Sequence, residues 1–186
     1  GGALWGLGVA QGRVLTSVLP GGLDGDGLRE LFVGVEEGQP LVFRNAGGRF
    51  VRVDDTGIET SGHTISAVAA DFDRDGDLDL YLANHENVFV ESPEPPGGAD
   101  NAEPDQLFVD EGGFRFRDAT REAGLGNTGW SLTPVAADYD LDGDVDLFVG
   151  NDFGPYRLYR NDGSGRFDEV SEAAGVDRPV AAMGGA

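Results

Sequence analysis

The chain is built from short apolar runs broken by turns. ISAVAADFDRDGDLDLYLAN (65–84) and LTPVAADYDLDGDVDLFVGN (132–151) each read as an Ala/Val-rich strand, an acidic loop and a second apolar strand. RVLTSVLPGGLDGDGLRELFVG (13–34) is a weaker copy. After each comes a second shared block: LVFRNAGGRFVRVDDTGI (41–58), LFVDEGGFRFRDATREAGL (107–125) and LYRNDGSGRFDEVSEAAGV (158–176). These blocks alternate apolar and polar positions around a Gly/Asn/Asp turn, the signature of a hairpin. The tails TREAG and SEAAG read as one helical turn stopped by glycine.

One unit is therefore four antiparallel strands, and the chain holds three. The units run 13–58, 63–125 and 130–176, with partial strands expected at 1–12 and 177–186. Asp71 and Asp138 lie 67 positions apart, Gly22 and Asp71 49. The difference is mostly an insertion at 85–106 containing ESPEPPGGADNAEPD. Its plainest reading is a solvated surface loop; a long connection on a rigid scaffold is also a natural place for ligand recognition. Four-stranded units of this length predict an all-β fold, the radially stacked blades of a β-propeller. Propellers typically need about 4–8 blades to close. Three make a partial propeller, so further blades or subunits are expected to complete the ring. The chain begins at Gly1 and stops at Ala186 in what resembles the start of another unit. That suggests a processed chain or a segment of a longer one.

Composition narrows the function classes. There are 34 acidic residues against 13 basic ones, all arginine, for a formal charge of −21. Such a surface repels phosphate, which argues against nucleic acid and anionic membranes and favours cations. No apolar run approaches the ~20 residues of a membrane span. Without cysteine there is no disulfide, thiolate metal site or thiol nucleophile. Glycine, at 31 of 186 residues, fits many tight turns.

The sharpest chemical signal is DFDRDGDLD (71–79) and DYDLDGDVD (138–146), both D-x-D-x-D-G-x-x-D. Five carboxylates in nine residues repel one another unless a cation gathers them. Hard oxygen donors at alternate positions suit Ca²⁺, which takes 6–8 oxygens in flexible geometry, better than Mg²⁺. The spacing predicts side-chain ligands from Asp71, Asp73 and Asp75, a backbone carbonyl from Asp77, and Asp79 closing the loop. Asp138, Asp140, Asp142, Asp144 (backbone) and Asp146 repeat the set. The first loop, GLDGDGLRE, keeps Asp24, Asp26 and Gly27, has Leu28 at the carbonyl position and Glu30 at the last. Gly22 stands where the first carboxylate should be, so this degenerate loop should bind more weakly or not at all. An EF-hand needs Glu at position twelve; here that position is Leu82 or Val149, inside an apolar run. A merely solvated charge run would not place one glycine three times before the same strand.

The pattern D-x-D-x-D-G-x-x-D-L-(F/Y)-(V/L), followed by LYRNDGSGRFDEVSEAAGV, resembles FG-GAP/VCBS repeats, the propeller blades of integrin α-chains and many bacterial secreted proteins. The resemblance covers about residues 13–183; Gly22 and the short blade count depart from it. It implies calcium in the loop between the first two strands, on the lower face. It also implies that second-to-third connections, 85–106 among them, lie on the upper, ligand-meeting face.

The other candidates are quieter. His63, His85, Trp5 and Trp130 read as structural or packing residues. The hairpin arginines (Arg44, Arg49, Arg52, Arg115, Arg117, Arg157, Arg160, Arg166) read as partners of acids between blades. No G-x-S-x-G, P-loop or H-E-x-x-H occurs. The expected function is a non-enzymatic, calcium-stabilised binding or assembly scaffold that is extracellular, cell-surface or periplasmic. Its expected partner is a protein or glycan, with 85–106 as the candidate point of contact. The alternatives are a subunit of a filament or large complex, and a propeller domain of a carbohydrate-active enzyme such as a polysaccharide lyase.

Overall fold

Three four-stranded antiparallel sheets follow one another along the chain, each a simple meander. The computed structural model describes residues 15–35, 38–60, 62–86 and 91–178. The first sheet holds β1 (Leu15–Gly21), β2 (Glu30–Val35), β3 (Leu41–Asn45) and β4 (Phe50–Val53). The second holds β5 (His63–Ala70), β6 (Asp79–His85), β7 (Gln106–Asp110) and β8 (Phe116–Asp118). The third holds β9 (Trp130–Ala137), β10 (Asp146–Asp152), β11 (Arg157–Asn161) and β12 (Phe167–Glu169), and is followed by the one-turn helix α1 (Ser171–Ala174). The fold is all-β in open, propeller-like blades. The strands expected at 1–12, together with Trp5, lie outside the described residues, as does most of 177–186; residues 177 and 178 carry no strand.

Register repeats with the sequence. Each first strand carries an extra residue against its partner, at Thr16, Ile65 and Leu132. These bulges are spaced by the same 49 and 67 positions as the acidic loops, so each blade bends at the same place. First strands of successive blades face each other, β1 to β5 and β5 to β9.

Strand alternation supplies the cores between blades. Leu80 and Leu82 point back to Phe32 and Val42 of the first blade. Tyr81, between them, points forward to Leu147, Val149 and Tyr159 of the third. The middle blade is buried on both faces, which is why six of the seven β6 residues are buried. Each such aromatic or leucine side chain contributes roughly 1.5–3 kcal/mol. Val33, Leu41 and Phe43 form a separate cluster on the first blade's other face.

Backbone staples add to this packing. Phe116 N–H donates to the Thr56 carbonyl and Phe167 N–H to that of Ala123, each at 2.8 Å. The hairpin arginines do not join blades as expected. Among the described residues, Arg52–Asp54, Arg117–Glu111, Arg117–Glu122 and Arg160–Asp168 pair within one blade. Their partners lie two to eight positions away along the same hairpin.

The connection between second and third strands sets the blades apart. It runs 36–40 in the first blade, 86–105 in the second and 153–156 in the third.

Candidate metal centre

All three acidic loops join the first two strands of a blade, at one end of the stack. Their backbones match at two unusual positions. The fourth residue is left-handed in each: Gly25 (φ 67°), Arg74 (φ 64°) and Leu141 (φ 64°). So is the sixth: Gly27 (φ 85°), Gly76 (φ 99°) and Gly143 (φ 95°). This winding turns alternate side chains inward. Ligand oxygens of Asp71, Asp73 and Asp75 lie within 4.8 Å of one another, as do those of Asp138, Asp140 and Asp142. Asp24, Asp26 and Glu30 form the same kind of group in the first loop. Glu30, one methylene longer than aspartate, joins that group while its Oε2 accepts Leu23 N–H at 2.8 Å.

Short side-chain-to-backbone bonds hold each loop. Asp75 N–H donates to Asp73 Oδ1 at 3.2 Å and Asp77 N–H to Asp75 Oδ1 at 2.9 Å. Gly76 N–H reaches Asp71 Oδ2 at 3.2 Å. Asp142, Gly143 and Asp144 repeat the arrangement on Asp138, Asp140 and Asp142, and Asp26 and Leu28 repeat part of it on Asp24 and Asp26.

The residues fit a divalent cation. Asp71 Oδ1 is buried with no hydrogen-bond partner, as is Glu30 Oε1. A carboxylate oxygen withdrawn from water without a partner is costly. An ion among three such groups would supply what is missing. Burial, then the neighbouring Asp75 and Asp71 charges, push the Asp73 carboxyl up against the opposing pull of the Asp75 N–H.

The ninth position has another task. Asp79 is fully buried, with Oδ2 accepting Phe72 N–H at 3.1 Å and Oδ1 accepting Asp110 N–H at 3.0 Å. Asp146 binds Tyr139 N–H at 3.0 Å and Asn161 N–H at 2.8 Å in the same way. Neither belongs to its cluster of three. Each ties its loop to the end of the third strand. Burial raises both carboxyls, that of Asp79 to about 7. The side chain of Asp77 is half-buried near Gly112, whereas that of Asp144 meets Arg74 of the preceding loop.

A model of the FG-GAP-like repeat matches residues 22–82 and 138–185, segments that contain all three loops. The chain belongs to the FG-GAP-like repeat family. Cartilage acidic protein 1 of Mus musculus and of Homo sapiens are each 25% identical to it over 175 residues. Those alignments cover 84% of this chain, and 26% and 25% of the relatives. The chain thus spans about a quarter of the length of the curated relatives it matches.

The opposite end of the stack holds a polar cluster that the sequence did not announce. Asp105, the last residue of the 86–105 connection, is completely buried. Its carboxylate accepts from Tyr81 Oη (2.7 Å), Ser131 Oγ (2.6 Å), Asn127 Nδ2 (3.0 Å) and Asn84 N–H (2.7 Å). Burial raises it to about 6 against the pull of those donors. Asn84 and Asn151 stand next to last in two equivalent strands, and each donates to a proline carbonyl, of Pro104 and Pro155. Asn101 Oδ1 accepts from Trp130 Nε1 at 2.9 Å, and Trp130 packs on His85 with ring centroids 5.1 Å apart. The shared Asn at 84 and 151 was a visible signal, since both stand at the same place in aligned strands. Asp105 had none, because the equivalent positions hold Pro40 and Tyr156.

Proposed function

We propose that the chain is part of a calcium-stabilised FG-GAP-like propeller that acts as a binding or assembly scaffold rather than an enzyme. Calcium is held by Asp71, Asp73 and Asp75 and by Asp138, Asp140 and Asp142, with the carbonyls of Asp77 and Asp144 at position seven. Asp79 and Asp146 close the two loops. The first loop, through Asp24, Asp26, Glu30 and the Leu28 carbonyl, is a third and weaker site. The observation that carries this reading is the buried, partnerless Asp71 oxygen inside a preformed group of three carboxylates.

Calcium bound only by the folded state stabilises it by RT ln(1 + [L]/Kd). Extracellular calcium modules, with a Kd of about 10⁻⁴–10⁻³ M, fill only where calcium is abundant, and sites of that kind suit a setting outside the cytoplasm. Relatives named for cartilage agree with that setting. Ligands, protein or glycan, are met on the face carrying the 86–105 connection. Its segment 91–98 is mostly exposed while Asp105 and Asn101 pin its base. The remaining blades come from elsewhere in the polypeptide or from other subunits.

Calcium should raise the melting temperature and EDTA should reverse it. Asp75→Ala and Asp142→Ala should each remove most of the response, Asp24→Ala little of it. A melt indifferent to calcium across that titration overturns the reading.

A further inference from the structure

The two complete loops carry ten aspartates and a single basic residue, Arg74. Its side chain leaves the 71–79 loop and pairs with Asp144 in the 138–146 loop. Among the described residues this is the one ion pair that joins two blades. The guanidinium lies over Gly143, where an added Cβ would stand 3.2 Å from Nη2. Asp144 is nine-tenths buried, and its carboxylate lies where a Cβ on Gly163, across the third blade's hairpin, would sit 2.7 Å away. The other blade junction lacks the device, since the position of Arg74 is held there by Gly25, which has no side chain to offer.

We propose that Arg74 is a positioning residue that couples the two calcium loops, so that filling the 71–79 loop raises the affinity of the 138–146 loop. This rests on the calcium reading above. Arg74 stands between Asp73 and Asp75, so an ion in its own loop fixes its backbone. At the far end it holds the Asp144 carboxylate to one side. The Asp144 N–H meanwhile donates to Asp142 Oδ1 at 2.9 Å. Position seven is thereby anchored at both side chain and amide, leaving its carbonyl to face the ion. A paired guanidinium and carboxylate are nearly neutral together, so placement outweighs the pair's net field at the ion.

Charge and placement predict opposite signs, which makes the test decisive. If only charge mattered, Arg74→Gln would raise the calcium affinity of the 138–146 loop and Asp144→Asn would lower it. If Arg74 positions the loop, both substitutions lower it, by about tenfold, a coupling within the usual range. The loop can be followed on its own because Tyr139 is the one tyrosine or tryptophan in any of the three loops. Terbium bound there is sensitised by Tyr139, and calcium competes it away. Disabling the 71–79 loop with Asp75→Asn should weaken calcium at 138–146 in the otherwise native protein, with no further loss on top of Arg74→Gln. A rise in affinity for Arg74→Gln, or the same loss from Asp75→Asn with and without Arg74, overturns the coupling alone. Absence of calcium binding in the native chain overturns the calcium reading as well.

Discussion

Position by position, the repeat serves as its own control. Asn45, Asp110 and Asn161 end the third strands of their blades, each paired with a phenylalanine. Asn161 Nδ2 donates to the carbonyls of Phe72 and Val145, at 2.7 and 2.9 Å. Asn45 Nδ2 donates to the Arg29 carbonyl. The Asp110 side chain has no N–H to give, and its Oδ2 is buried without a partner. Burial also raises its carboxyl to about 6. Asp110→Asn should therefore stabilise the protein, by about 1 kcal/mol for the hydrogen bond alone. A urea melt of the variant against the native chain measures it, and a loss of stability would contradict the comparison between blades. The carboxylates that gather and the glycines that turn were visible in the sequence, because D-x-D-x-D-G is local chemistry. The split between Asp71, Asp73 and Asp75 in one group and Asp79 in another was not. It depends on which amides the fold brings to the ninth position.

The elements hold together through the trailing glycines of each unit. Gly57 and Gly124 are left-handed, at φ 80° and 79°, and each lies under the carbonyl of a phenylalanine in the next blade. A Cβ on Gly124 would stand 2.8 Å from Phe167 O, a contact with backbone that cannot easily yield. Gly175 has the same conformation, φ 72°, with nothing within 4 Å. Gly175→Ala should cost only the left-handed strain, about 1–2 kcal/mol. Gly124→Ala should cost clearly more, because the staple from Phe167 N–H to Ala123 must also shift. Thermal melts of the two variants settle the ranking, and equal losses would show that the close approach carries no weight. Strands, hairpins and glycine stops were legible here because period-two alternation and turn residues are short-range signals. The pairing of hairpin arginines was misjudged, since sequence cannot tell whether the nearest acid lies along the strand or across the seam.

At the scale of the molecule, two ends of one stack do different work. One end gathers carboxylates that could hold a cation; the other closes around Asp105, which joins the long connection to the second and third blades. The folded value of about 6 for Asp105 stands above its ordinary 3.8, so the folded state holds that proton more tightly than the unfolded one. Its contribution to stability is complete below about pH 4 and is lost as pH rises through 6. Two pK units correspond to roughly 3 kcal/mol. In saturating calcium, Asp105→Asn should lose that part of the pH dependence between pH 4 and 8. Denaturant melts at several pH values read the difference, and parallel curves for the two proteins would show that the cluster does not carry it. The sequence alone determined the three-unit repeat, the four-stranded blade and the acidic loops, because each is written in neighbours a few residues apart. Only the tertiary structure decided that Arg74 reaches Asp144, that Glu30 joins Asp24 and Asp26 in one group, and that Asp105 is a buried hub. Those contacts join residues that no local pattern relates, and burial, which sets their energies, exists only once the blades are stacked.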